Sequence, residues 1–206
     1  MTLGEIKIEA LKLMCPELTG EGPEDIPSLR GDTYKRELID KMPGSVNRCL
    51  AELSGRGLLP SISYEVQATD TTGAFIRVSL DTIPRFLSLE RVVREGTDGS
   101  YDGDCPRRLE GRTLVLSAPK PGERYRILYK GAAERISDIT ESSAVLGVPE
   151  HIAAIIPYYI KGELFREDEP AEAAEARNIF EQALYSFKGE PESSVGAVET
   201  VYSVDY

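Results

Sequence analysis

The chain has 206 residues, of which 41% are hydrophobic and 29% charged, and its 24 Lys and Arg against 35 Asp and Glu give a formal net charge of −11. That balance suits a globular domain, or one with a small insert, and rules against wholesale binding of a nucleic-acid backbone, which depends on Lys and Arg displacing counterions. No apolar run approaches the ~18 residues of a membrane span, and Glu5 and Glu9 break the opening apolar stretch where a signal peptide would be uninterrupted.

The spacing predicts a first helix over Leu3–Met14. Thr2 and Glu5 form a capping-box pattern, and Leu3, Ile6, Ala10, Leu11 and Met14 recur on one face. Cys15-Pro16 ends it, because the residue before proline is pushed out of the α region. Residues 17–32, rich in Gly, Pro and acid, read as a loop. A second helical region follows over Thr33–Ser54, with Tyr34, Leu38, Ile39 and Met42, then Val46, Cys49, Leu50 and Leu53 in period. Met42-Pro43-Gly44 interrupts it, predicting a kink or two short helices, and Gly55 and Gly57 supply its stop.

From Ile62 to Lys130 the period changes to two. Strands are predicted over residues 62–68, 74–79, 87–94, 113–116 and 124–129, separated by Gly- and Pro-containing turns. Five short strands at this spacing suit a small antiparallel sandwich or barrel, and the short loops suggest hairpins in sequential order. Helix returns at Val148-Pro149-Glu150 and runs to about Arg166, with Pro157 bending it or marking a later start. Asp168-Glu169-Pro170 opens a last helix to about Lys188, whose inward face carries Ala173, Ala176, Phe180, Ala183, Leu184 and Phe187. The two should form an antiparallel hairpin. The expected fold is therefore α+β: a helical domain from residues 1–60 and 148–188, an inserted β-domain over 61–135, and an extended C-terminal arm over 189–206. In that arm Val198, Thr200, Tyr202, Val204 and Tyr206 alternate with other residues, and with Val201 they make a strand suited to pairing with another protein.

Little points to catalysis, metal or cofactor. Cys15, Cys49 and Cys105 are odd in number and form no CxxC pair, which suits free thiols; with His151 the only histidine, a zinc site lacks ligands. Cys105 and His151 lack a third, orienting group for nucleophilic catalysis. Gly131, Gly147 and Gly162 belong to no phosphate-cradling pattern. The acidic run Glu163, Glu167, Asp168, Glu169, Glu172 and Glu175 reads as a solvated helix face and turn, without the ligand pairs of a bundle metal site. Arg107, Arg108 and Arg112 form the one basic cluster. They read as a solvated hairpin, or as a surface that meets an acidic patch on a neighbouring subunit. Residues 98–104 open like a calcium loop, but the twelfth position is Leu109 and Glu110 is one place off.

Several segments taken together resemble a known group. Residues 2–14 (TLGEIKIEALKLM) and 34–53 (YKRELIDKMPGSVNRCLAEL) resemble the first two helices of small neck proteins of tailed bacteriophages. FLSLERVV at 86–93, with 101–136 running YDGDCPRRLEGRTLVL through YRILYKGAAERI, resembles the β-domain of tail-tubular and head-to-tail adaptor proteins. VPEHIAAIIPYYIKGELFREDEPAEAAEARNIFEQAL at 148–184 resembles their terminal helical hairpin; the loop Pro16–Gly31 departs from the pattern. The resemblance implies a virion structural protein, without enzymatic activity or cofactor, forming a homo-oligomeric ring of about twelve subunits beneath the portal. Its partners would be the portal protein and tail or neck proteins. Genomic DNA would pass through the channel without specific binding, since an acidic wall lets it slide. The alternative is a carbohydrate- or calcium-binding β-module on a helical scaffold.

The two readings part on metal. A ligand at about 100 times its dissociation constant would add roughly 2.7 kcal/mol of stability. Melting is expected to be the same with calcium as with chelator; a calcium-dependent rise would favour the β-module.

Overall fold

The computed structural model describes residues 1–68, 74–95, 101–102 (backbone), 105–117, 122–137 and 140–187. The fold is α+β, with 46% of the described residues helical and 25% in strands. Its described residues form two compact units, one from residues 1–59 and the chain from Ala133 onward, the other from residues 60–132. The arm over 189–206 lies outside the described residues.

The helical unit begins with α1 (Leu3–Met14), whose N-terminal amides are all engaged. Leu3 and Gly4 donate to the carbonyls of Ala144 and Ser142, each at 2.8 Å, and Glu5 donates to the Thr2 hydroxyl at 3.2 Å. The Glu5 carboxylate accepts in return from the Thr2 amide at 2.7 Å, which completes the capping box. A side chain at Gly4 has no room: its Cβ would stand 2.9 Å from that of Pro23 and 3.0 Å from Ser142. Burial extends beyond the predicted stripe to Lys7 and Ile8, so α1 is enclosed on more than one side.

Two sequence-based expectations are corrected in the next stretch. Residues 17–32 are not wholly loop: a 3-10 turn (Pro23–Asp25) runs into the short helix α2 (Ile26–Leu29). Pro23 and Pro27 sit in first turns, where their missing N–H costs nothing, and Ile26 is buried in the core. Nor does Pro43 divide the second helical region. α3 is one helix, Thr33–Gly55, because Ile39, Met42, Val46 and Leu50 bury a continuous face on both sides of the proline. That burial offsets the backbone hydrogen bond proline cannot make.

At the other end of the chain Pro157 does mark a later start. α4 (Glu150–Ala153) is a single turn, and α5 (Ile156–Leu164) carries Pro157 in its first turn. α6 (Pro170–Phe187) returns antiparallel after the Asp168-Glu169 corner. Helices α1, α3 and α6 all pack on α5. Gly162 allows the approach of α6, since a Cβ there would come within 3.2 Å of the Ala173 carbonyl. The Lys161 ammonium caps α1 by donating to the Leu13 carbonyl at 3.0 Å.

The chain leaves and rejoins this unit at one turn of α3. On the outgoing side Gly57, at φ +71°, lets Leu58 donate to Leu53 and Gly57 to Ser54, the Schellman pattern. On the returning side the Ala133 amide donates to the Ser54 hydroxyl at 3.1 Å, and that hydroxyl donates to Leu50 at 2.7 Å. Two turns earlier, Asn47 pairs with both backbone groups of Ile136: its Nδ2 donates to the carbonyl at 2.8 Å and its Oδ1 accepts from the amide at 2.9 Å.

The β unit contains β1 (Ser61–Gln67), β2 (Phe75–Ser79), β3 (Phe86–Glu95), β4 (Tyr101–Asp102), β5 (Arg107–Glu110), β6 (Thr113–Ser117) and β7 (Arg124–Gly131). They form two antiparallel sheets, β1-β7-β3-β4 and β2-β6-β5. The expected sequential hairpins are therefore largely corrected to a nested order. Only β3–β4 and β5–β6 are sequential neighbours, while β1 pairs with β7 and β2 with β6. Sequential pairing would leave apolar faces open; alternating between two sheets lets Ile76, Val78, Leu114 and Leu116 of one bury Val92, Tyr125, Ile127 and Tyr129 of the other. The arrangement also puts Ser61 opposite Lys130, so the insertion begins and ends on adjacent strands. Arg85, at φ +56°, turns the chain into β3, where its carbonyl accepts from Ala132 and the Tyr129 hydroxyl donates to Pro84 at 2.9 Å.

The hairpin residues expected to face inward divide by burial. Phe180 is fully enclosed and meets the Tyr159 ring edge-on at 5.1 Å, while Leu164 is only partly buried. Phe180→Ala is expected to cost about 3–5 kcal/mol, and Leu164→Ala at most the low end of the ~2–5 kcal/mol range, by denaturant melts of both variants. Equal losses would contradict this packing.

Candidate functional site

The candidate residues of the sequence scatter over both units. Val198, Thr200, Val201, Tyr202, Val204 and Tyr206 lie outside the described residues, as do 98–100 and 103–104 of the acidic hairpin. Tyr101 and Asp102 pair as backbone with Glu95 and Arg94. Cys105 is buried in the core of the β unit. His151 belongs to the helical unit, where it is exposed and rests edge-on against Phe187 at 4.7 Å. The acidic run splits: Glu163 pairs with Arg48 at 2.8 Å and Glu172 with Lys161 at 2.6 Å, while Glu167, Asp168, Glu169 and Glu175 are exposed. Among the described residues no group of three or more His, Cys, Asp and Glu is placed to hold a metal ion, and no helix is long and apolar enough to cross a membrane.

The densest polar construction is one that periodicity did not single out. Arg177 of α6 reaches α3, where one guanidinium nitrogen donates to both carboxylate oxygens of Glu52, at 2.7 and 2.8 Å. The same group lies 4.4 Å from the centre of the Tyr159 ring and 5.2 Å from that of Phe180. Glu181, one turn on, pairs with Arg177 at 3.3 Å and takes Arg56 at 2.7 Å, and Arg56 also meets Glu52. Burial alone would push the Arg177 guanidinium down, but hydrogen bonds to Glu52 and Tyr159 outweigh it and hold its proton more tightly than usual. The Arg56 hydrogen bond, helped by the charges of Arg56 and Arg177, holds the Glu181 carboxyl below the usual range. Flat guanidiniums both stack on rings and fork to carboxylates, so this ladder ties α3, α5 and α6 together at their half-buried margin. Its residues are committed to one another, which makes it a fastening and not a reaction centre. The sequence signal was available: Glu52–Arg56 and Arg177–Glu181 are both i,i+4 pairs of opposite charge.

The thiols are enclosed as well. Burial pushes the Cys49 thiol far above its ordinary range, with Glu52 adding to the shift. Burial, then Glu17, raises Cys15.

What remains for recognition is surface. Large exposed apolar side chains include Tyr34 on α3, Phe75 on β2, Leu109 on β5 and Tyr185 on α6. Phe75 shares its sheet face with Arg77, and Arg108 lies over its ring at 5.3 Å. Arg77 and Arg108 both pair with Glu110, whose carboxyl they hold low, the Arg77 hydrogen bond being the largest influence. Arg112 pairs with Asp81 at 2.6 Å. The basic cluster of the sequence is thus divided. Arg108 joins Arg77 in this ion-paired surface, Arg112 stands in the turn between β5 and β6, and Arg107 alternates to the other face of β5.

A scan against family models matches none, and a search of curated proteins finds no relative.

The lowered Glu181 carboxyl sets an acid-side test. A group whose folded pKa is depressed contributes stability above its unfolded value, about 4.3 for Glu, and loses it as pH falls through the folded value. Glu181→Gln is expected to melt about 1 kcal/mol less stably than the parent at pH 7. The two should converge as pH falls through the lowered folded value, below which the carboxyl is protonated in the folded and unfolded states alike. A gap that stays constant with pH would mean that the charge of Glu181 contributes nothing.

Proposed function

We propose that the protein is a structural subunit of the neck of a tailed bacteriophage, an adaptor that forms a ring beneath the portal and joins head to tail. The observation that carries this reading is the α5–α6 hairpin. Its sequence, turned at Asp168-Glu169-Pro170, is the most telling of the segments that resemble the neck and adaptor group, and it packs against helices from the opposite end of the chain. The other resembling segments supply α1, most of α3 and the strands from β3 to β7. A helical unit fastened by polar ladders, with an inserted pair of small sheets, suits a part whose work is to hold neighbours and not to turn over a substrate. In this reading DNA passes along the ring without sticking, in keeping with the acidic charge of the chain. Residues 198–206, with β-forming side chains at alternate positions, serve as the arm that adds to the portal or to the next subunit.

The test is assembly. Negative-stain images of the purified protein mixed with portal-bearing heads are expected to show a ring with a central hole at the portal vertex. A chain ending at Lys188 is expected to melt like the parent yet fail to attach. Attachment of the shortened chain equal to that of the whole would remove the arm from the connection. The absence of any ring from heads mixed with the whole chain would remove the adaptor reading.

A further inference from the structure

Of the seven described strands, four lie at a sheet edge, and an open edge is a template for pairing with another chain. Three of the four are blunted. β4 is two residues long, β5 is charged at three of its four positions, and β2 is five residues with Arg77, ion-paired to Glu110, at its centre. β1 is not blunted. It runs seven residues, Ser61–Gln67, with β7 as its one neighbouring strand among the described residues. Its register passes from Ser61 opposite Lys130 to Gln67 opposite Arg124 without a bulge, and Glu65 is its one charged residue.

The outer side of β1 follows from its bonded side. Ala68 donates to the Glu123 carbonyl at 2.9 Å, and along an antiparallel strand the backbone groups of successive residues turn to opposite sides. Ile62, Tyr64 and Val66 therefore pair toward β7, which leaves the amides and carbonyls of Ser61, Ser63, Glu65 and Gln67 along the outer edge. The side chains mark the same margin. Tyr125, Ile127 and Tyr129 of β7 are fully enclosed, whereas Ile62, Tyr64 and Val66 beside them on the core face are only partly buried. A further strand with an apolar row would cover them and take up the outer backbone groups.

The chain carries such a strand at its C-terminus. Residues 198–206 hold no Gly or Pro, and alternate Val198, Thr200, Tyr202, Val204 and Tyr206 with Glu199, Val201, Ser203 and Asp205. Residues 188–197 before them can span roughly 35 Å when extended. We propose that residues 198–206 of one copy add to the outer edge of β1 in the next copy, as a fifth strand of the β1-β7-β3-β4 sheet. The row from Val198 to Tyr206 then lies beside Ile62, Tyr64 and Val66, and the row from Glu199 to Asp205 lies on the solvent face beside Ser63 and Gln67. The contact deepens the ring reading above and rests on it. Each copy gives one arm and offers one edge, so successive contacts close a ring where the rotation allows. Charge favours this seat. Residues 189–206 hold four acids and no Lys or Arg, residues 60–132 carry 11 Lys and Arg against 10 Asp and Glu, and the rest of the chain carries 13 against 25. An acidic arm is therefore repelled by the helical unit more than by the insertion. One short strand is smaller than a standard stable interface, so single contacts are weak and ring closure supplies the rest.

Every described helix and strand ends by Phe187, so a chain ending at Lys188 keeps both units and the β1 edge while lacking the arm. Fluorescence anisotropy of a labelled peptide of residues 189–206, titrated with that chain, is expected to show saturable binding. Ser63→Pro in the chain removes an outer amide without touching the pairing to β7, and should weaken binding roughly tenfold or more, with melting curves to establish the fold. Val201→Pro with Tyr202→Pro in the peptide removes one donor from each side of the strand and should do the same, with no demand on folding. Sedimentation velocity of the chain ending at Lys188 mixed with full-length Ser63→Pro is expected to show a one-to-one complex that neither forms alone. Equal binding of the peptide with both prolines, or of a scrambled peptide, overturns the contact. A chain ending at Lys188 that pairs with itself overturns it too, because a second β1 then takes the edge. Peptide binding without a complex in the mixture means that each arm occupies its own edge, which overturns the contact between copies. Rings that form on portal-bearing heads from Ser63→Pro as well as from wild type would keep the adaptor reading and discard this contact. Heads without rings, with the one-to-one complex intact, would remove the adaptor reading and leave the contact standing.

Discussion

Two pieces of chain, separated by residues 60–132, must close on each other before the helical unit can exist, and the closing point is the last two turns of α3. A returning strand of irregular backbone normally carries unpaired amides and carbonyls into the fold at a cost of about 1–3 kcal/mol each. Here Ser54 takes the amide of Ala133, and Asn47 takes both backbone groups of Ile136. The segment is then held while it travels on to supply the carbonyls of Ser142 and Ala144 to α1. Everything inward of that path follows: α1 is enclosed, α5 meets three helices, and Gly4 and Gly162 are required by the closeness of what passes over them.

The helices and most strands could be read from the chain because their burial is periodic. α1 and α6 carry their apolar residues at helical spacing, and β1, β2 and β7 alternate more buried with more exposed residues at the period of a strand. The readings that needed correction were those where a local signal met a tertiary one. Pro43 is a breaker by its own chemistry, but Ile39, Met42 and Val46 continue the buried face through it. The short loops between strands argued for sequential hairpins, yet the need of both sheets for a partner face imposed nesting. β5 was not foreseen because Arg107-Arg108-Leu109-Glu110 has almost nothing to bury, only one neighbouring strand, and reads as turn. The fastenings were least visible. Asn47 and Ser54 are ordinary polar residues on an amphipathic helix, and their backbone partners lie some eighty to ninety positions away. Only the i,i+4 charges of Glu52–Arg56 and Arg177–Glu181 left a local trace, and nothing local tells that the two pairs meet.

The polar chemistry of the molecule is divided by depth. Where groups are enclosed, as with Ser54 or the Glu123 carboxylate beneath Tyr125, hydrogen bonds are specific and short. At the half-buried margin, Arg177 combines ring stacking with two carboxylates, so losing any one partner leaves others in place. At the surface, charge pairs are numerous and interchangeable. The gradation keeps fixed partners inside and leaves exchangeable ones outside.

The buried thiols have a consequence of another kind. Only the thiolate attacks an alkylating reagent, and Cys15 and Cys49 are both enclosed and disfavoured from ionising. Reagent therefore reaches them when the surrounding structure opens, not by collision with the resting fold. Cys105 occupies the same position in the β unit. The chain thus contains its own chronometers, two thiols keeping time for the helical unit and one for the insertion. The pace at which each is labelled would report whether one unit breathes while the other stays shut.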